Sequence, residues 1–168
     1  GSGKVNVWGC ITPNGIGWLY CINGNMNSLQ YIHILESASA KPGYYELPKL
    51  YCLLTGYTKN KWIFQQDNDS KHNSHVMKNL LEFGISCIYV PMWPPSLPDL
   101  SPIENAWDYL EKQVKKQQQQ PKNTDELWAA LEEEWNWPSF SKYVKRLYES
   151  VPACMEKLLE AGGLWTKY

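Results

Sequence analysis

The chain has almost no excess charge of either sign. Its 168 residues carry 16 lysines and arginines against 17 aspartates and glutamates, a formal net charge of −1. A domain that grips nucleic acid over its whole surface carries a clear basic excess, so any such contact is confined here to local patches. Two are present, Lys112 with Lys115 and Lys116, and Lys142 with Lys145 and Arg146, separated by the acidic run Glu132-Glu133-Glu134. Taken singly, each also reads as a solvated helix face. Paired cysteines are lacking too. The five cysteines are odd in number and show no C-x-x-C spacing, which argues against a disulfide framework or a zinc site and fits a reduced intracellular compartment. No signal-peptide pattern opens the sequence, no apolar run approaches the ~18 residues of a membrane span, and no internal repeat is visible.

What is present is a core. Hydrophobic residues make up 43% of the chain and tryptophan occurs nine times, so a disordered or fibrous chain is excluded. The length suits one domain better than two. Gly1-Ser2-Gly3 reads as a cloning scar and 4–168 as a single domain.

Periodicity predicts an antiparallel hairpin from Lys4–Ile11 and Gly17–Ile22 around the turn Thr12-Pro13-Asn14-Gly15. A helix follows over Met26–Ser37, with Leu29, Ile32 and Leu35 at helical spacing, then a second over Tyr44–Tyr57, interrupted at Pro48. Lys61–Gln66 and Ser86–Val90 read as buried strands around a helix, Ser74–Phe83, closed by Gly84. Strand, helix, strand with short links implies a parallel pair, so the sheet is mixed and the core α/β.

After five prolines between Pro91 and Pro102, a helix opens at Ser101-Pro102-Ile103-Glu104 with Ile103, Trp107, Leu110 and Val114 as its buried stripe. Gln117–Gln120 and Pro121 form a polar, low-complexity hinge that ends the helix. Thr124 then caps a helix carrying Leu127, Leu131 and Trp135, and a last helix from Ser139 to Ala161 bends at Pro152. The tryptophans of Trp128–Trp137 and Trp165 are expected to pack within the domain, with nucleobase stacking as the other reading.

The chemistry concentrates between Trp62 and Trp107. A strand delivers Asp67 at its end, and a proline-rich loop delivers Glu104 in the first turn of a helix. Two carboxylates so presented can hold divalent cations, which prefer hard oxygen ligands, and phosphoryl transfer through two ions requires flanking and bridging acids. Other readings stand beside this one. Glu104 lies three residues after Ser101, the spacing of a capping box; Asp67 with Asn68-Asp69-Ser70 can make a turn; His72 can be a hydrogen-bonded structural histidine. Carboxylate pairs also serve glycosidases.

Gln65-Gln66-Asp67-Asn68-Asp69-Ser70-Lys71-His72, Trp93-Pro94 and Ser96-Leu97-Pro98-Asp99-Leu100-Ser101-Pro102-Ile103-Glu104-Asn105-Ala106-Trp107 resemble the catalytic core of mariner-superfamily transposases. Val7-Trp8-Gly9-Cys10, Gly24–Ser28 and the closing Ser150-Val151-Pro152 and Gly162–Tyr168 share the resemblance, which therefore covers nearly the whole chain. It implies a ribonuclease-H-like fold, a mixed sheet flanked by helices. It also implies Asp67 and Glu104 as the second and third acids of a DDE triad and as ligands of Mg²⁺ or Mn²⁺. The implied activity is cleavage of DNA at transposon ends and joining to a target, in the nucleus. Asn68, Lys71, His72 and Asn105 match motif positions without an assigned role.

Two departures from that pattern stand out. Between Asp67 and Glu104 lie 36 residues, slightly more than in familiar members; the extra length falls at Val90-Pro91-Met92, where a loop absorbs it. No aspartate precedes Asp67, so the first acid and its central strand are expected upstream of Lys4. A chain with two of three acids is expected not to cleave DNA by itself, and a sheet short of its central strand is expected to expose edges that favour homo-oligomerisation or pairing with another chain. The rival expectation is a domesticated, non-catalytic module that binds DNA or a protein.

Overall fold

The computed structural model describes residues 3–39, 63–64, 88–89 and 101–160. Two compact units emerge, one formed by Gly1–Ile22 with Ser96–Tyr168 and the other by Asn23–Pro95.

The first unit is built on the expected hairpin, β1 (Asn6–Thr12) and β2 (Gly15–Ile22). These strands pair antiparallel from Asn6 opposite Ile22 to Thr12 opposite Gly15, with an irregularity between Gly9 and Ile11. The turn holds itself closed. Thr12 Oγ1 donates to the Gly15 carbonyl at 3.2 Å and accepts from the Asn14 amide at 3.2 Å. Gly15, at φ 133°, occupies backbone space that side-chain-bearing residues rarely adopt.

Three helices complete this unit: α2 (Pro102–Lys116), α3 (Thr124–Asn136) and α4 (Pro138–Glu160). In α2 the buried residues are Pro102, Ala106, Leu110 and Val114, a row at spacing four, while the expected Ile103 and Trp107 flank it half-buried. Ala106, Leu110, Trp135, Phe140 and Val144 form the core, with Ile11, Ile16 and Leu19 of the hairpin packed against it.

Aromatic rings knit the helices together. Trp107 stacks on Trp135 at 5.5 Å, Trp135 meets Phe140 at 5.2 Å, and Tyr109 stacks on Tyr143 at 4.2 Å. Two side chains tie helices to hairpin carbonyls: Trp135 Nε1–H donates to Gly17 at 3.1 Å and the Tyr148 hydroxyl to Ile11 at 3.0 Å. Trp135 is thus a packing residue with its one donor satisfied, whereas Trp137 is 55% exposed.

The cap of α3 departs from expectation. Asn123, not Thr124, caps α3: its Oδ1 accepts from the Glu126 amide at 2.8 Å, and Glu126 reaches back to the Lys122 amide at 2.8 Å. The glutamine tract terminates α2 by hydrogen bonding. Gln120 Nε2 donates to the carbonyls of Lys115 and Gln117 at 3.1 and 2.8 Å, and Gln117 Nε2 to Glu134 at 2.9 Å, so carbonyls that a helix end leaves unpaired are satisfied. Helix α4 continues through Pro152 to Glu160.

In the second unit, α1 (Ser28–Ser39) begins at Asn27, whose Oδ1 accepts from the Gln30 amide at 2.8 Å. Among its described side chains Tyr31, Ile34 and Leu35 are buried; Leu29, expected on that stripe, is 71% exposed. Strands β3 (Ile63–Phe64) and β4 (Ile88–Tyr89) pair in parallel, as the strand–helix–strand order required. The expected helices Tyr44–Tyr57 and Ser74–Phe83 lie outside the described residues.

Candidate functional site

The described part of the site is the first turn of α2. Ser101, in extended backbone at φ −103° and ψ 97°, turns the chain into the helix, and its carbonyl accepts from the Glu104 amide at 3.1 Å. Pro102 begins the helix, where its fixed φ suits the turn and its missing N–H is not needed. Its ring is buried, so the turn is anchored by apolar contact. The Ser101 side chain makes no cap hydrogen bond.

This outcome bears on one of the readings of Glu104 that spacing left open. The capping box does not form. The Glu104 side chain is exposed and has no hydrogen bond or ion pair to a described residue. The helix dipole favours an acid at this position, but nothing described here occupies its oxygens.

The opposite side of α2 fixes where that carboxylate stands. Trp107, next to the buried row, lies against Gly9 of β1: an added Cβ at Gly9 would fall 2.6 Å from Trp107 Cη2 and 2.8 Å from Trp135 Cη2. Glycine there lets two indoles close directly on the strand, setting the height of the helix start on the hairpin. Sequence reasoning missed this role, although Val7-Trp8-Gly9-Cys10 had stood out; the available signal was a glycine inside a strand pattern.

Beside it, Cys10 sits at the β1 irregularity, and its Sγ accepts from the Trp18 amide at 3.2 Å. Burial pushes the thiol up to about 11, against the lowering effect of that amide, which keeps it protonated and unreactive at neutral pH. Among the described residues Cys10, Cys21 and Cys154 form no disulfide.

Farther along the exposed side of α2, Lys112 pairs with Asp108 and Lys115 with Glu111, each at 2.6 Å. The Asp108 hydrogen bond raises the Lys112 pKa. Tyr143 of α4 is also raised, chiefly by burial and then by Asp108. One of the two basic patches is therefore largely neutralised by its own helix.

Asp67 lies outside the described residues, as do Asn68, Lys71 and His72. Asn105 is exposed beside Glu104. Among the described residues no group of three or more His, Cys, Asp or Glu side chains could hold a metal. The exposed Glu104 carboxylate offers the hard oxygen donors that Mg²⁺ and Mn²⁺ favour, and so fits as one ligand of such an ion.

Comparisons with known proteins give this turn a context. Residues 1–128 match the family described as DDE superfamily endonuclease. Over all 168 residues the chain is 33% identical to the Tcb1 transposase of Caenorhabditis briggsae and 30% identical to the Tc1 transposase of Caenorhabditis elegans. It spans 56% of the length of each of those two curated relatives.

Among solved structures, the catalytic domain of Mos1 mariner transposase superposes with a TM-score of 0.70 over 99% of this chain and 83% of that one, at 14% identity. The Mos1 transposase paired-end complex with left transposon end gives 0.73 over 96% of this chain and 44% of that one, at 16% identity. The fold is that of the mariner catalytic domain, so the ribonuclease-H-like expectation holds. No helix among the described residues is long and apolar enough to cross a membrane.

Proposed function

Because the chain belongs to the DDE superfamily endonuclease family, within its Tc1/mariner transposase branch, we propose that Asp67 and Glu104 are two acids of a Mg²⁺- or Mn²⁺-binding site for DNA strand cleavage and strand transfer at transposon ends. The observation that supports this is the state of Glu104. A carboxylate at a helix start, at capping-box spacing, is left exposed without the cap bond. Its helix is meanwhile held in place by buried Pro102, Ala106 and Leu110. Structure is provided by one side of α2 and a rigidly placed oxygen donor by the other.

A divalent ion held by such acids stabilises charge on a phosphoryl oxygen and lowers the pKa of bound water. The residues of this chain contribute orientation and negative charge. Trp107 and Trp135 against Gly9 set the position of the first turn, and Pro102 fixes its backbone. DNA at transposon ends and at a target, action in the nucleus and assembly as a homo-oligomer belong to the same proposal. The DNA and the assembly are supported by the transposase relatives and by the paired-end complex of Mos1.

Calorimetric titration of Mn²⁺ into the protein, Asp67→Asn and Glu104→Gln tests it. Binding is expected for the parent chain and is expected to be lost or severely weakened in both variants. Equal binding in all three removes the metal site and favours the non-catalytic module that binds DNA or protein.

A further inference from the structure

The two basic patches are not equivalent. Lys112 and Lys115 each have an acid four residues earlier, Asp108 and Glu111, and pair with it at 2.6 Å. In α4 the residues four before Lys142, Lys145 and Arg146 are Pro138, Ser141 and Lys142, so that partner is missing. Glu149 follows Lys145 by four, the weaker order for a helical pair. Among the described residues none of the three cations forms an ion pair. All three are exposed, on the side of the helix away from buried Phe140 and Val144.

Two of the three are nevertheless held in place. Arg146 lies over the Tyr143 ring at 6.0 Å, and Tyr143 stacks on Tyr109 at 4.2 Å. Lys145 runs along the hairpin turn, where a methyl group added at Gly15 would meet its Cε at 3.7 Å. Cations whose stems are already placed lose less freedom on binding than free ones. A chain of net charge −1 thus presents, on one helix face, three cations that no described acid neutralises.

We propose that this face, Lys142 with Lys145 and Arg146, holds the phosphate backbone of duplex DNA without reading its sequence. The inference rests on DNA being the substrate, as proposed above, and adds a gripping surface apart from the carboxylates. Four residues of helix advance ~6 Å, a length over which a DNA strand presents about two phosphates. Between Pro138 and Tyr148 the exposed residues include no large apolar side chain. A helix lying in a membrane surface requires such side chains, and so do the anchors of most protein interfaces. Phosphate contacts fix the register of a duplex and carry no sequence information, so the chemistry stays with the acids.

Fluorescence anisotropy of a labelled duplex of arbitrary sequence, titrated with the protein in EDTA at several NaCl concentrations, is the test. The parent chain is expected to bind in the ~10⁻⁶–10⁻⁴ M range of sequence-independent contact, with the logarithm of affinity falling linearly with the logarithm of salt. Lys142→Gln/Lys145→Gln/Arg146→Gln is expected to weaken binding roughly tenfold or more and to flatten that slope by about 2.7, or about 0.9 per lost phosphate contact. Its circular dichroism spectrum is expected to be unchanged. Lys142→Arg/Lys145→Arg/Arg146→Lys, which keeps the charges, is expected to retain the parent slope, and Lys112→Gln/Lys115→Gln to change it little, since those cations are already paired. A parent chain that does not bind the duplex, or that prefers poly-glutamate or phosphatidylserine vesicles to it, overturns the proposal. So does a triple glutamine variant with the parent slope, or an equal loss in Lys112→Gln/Lys115→Gln. Leaving out metal keeps the two proposals apart, because Glu104→Gln is expected to bind the duplex as the parent does. If Mn²⁺ fails to bind the parent chain while the duplex still depends on Lys142, Lys145 and Arg146, the metal site fails and the gripping face stands.

Discussion

On one side of α2, Ala106, Leu110 and Trp107 meet α3, α4 and the hairpin so closely that Gly9 has no room for a methyl group. On the other side Glu104, Asn105, Asp108 and Glu111 stand in solvent. The buried side shows where stability resides; the exposed side shows which polar groups that stability leaves available. Asp108 and Glu111 are taken up by lysines one turn later. Glu104 lacks such a partner among the described residues, and that difference sets it apart from the neighbouring acids of the helix.

The sharpest way to break the comparison is at its packed side. Trp135→Ala removes the indole that touches Trp107, Phe140 and the Gly17 carbonyl. A loss of about 3–5 kcal/mol is expected in urea unfolding.

A pH titration of stability probes the same side through Cys10. The folded chain holds that proton more tightly than the unfolded one. Stability is therefore full below pH 9.0 and falls as pH rises through about 11, by about 2–3 kcal/mol in all. Cys10→Ala is expected to flatten that part of the profile.

Gly9→Ala, read by the same unfolding, should lose about 1–3 kcal/mol, because two ring edges must move. At the exposed side Lys112→Ala should change stability by no more than about 0.5 kcal/mol, since the pair with Asp108 is solvated. A large effect there would erase the distinction between the two sides.

Much of this was legible in the sequence, for local reasons. Thr12-Pro13-Asn14-Gly15 has the composition of a tight turn between β-rich runs, and the hairpin forms there. Pro102 after Ser101 marks a helix start, and the helix begins at Pro102. Where spacing admitted two solutions, it did not choose. Ser101 and Glu104 have capping-box spacing, but the bond does not form. Asn123 and Thr124 are both good caps, and the position was settled by which side chain reaches the Glu126 amide.

Long-range closeness was the hardest to read. Gly9 and Trp135 are far apart in the chain, and no periodicity announces that one must be small because the other is large. The glutamine tract was expected to end α2 and does so, but the means, amide side chains reaching particular carbonyls, is not something composition locates. Asp67 was read from its place at a strand's end and then from its motif, and its role stands on the proposal made for it together with Glu104.

The account turns on Glu104 being dispensable for the fold and required for the ion. Thermal melting of the parent chain and Glu104→Gln, each with and without Mn²⁺, tests both halves at once. Equal melting temperatures are expected without metal, with Mn²⁺ raising only that of the parent chain, since an ion that binds the folded state stabilises it. A Glu104→Gln protein that melts lower without metal, or rises with Mn²⁺ as much as the parent, would contradict it.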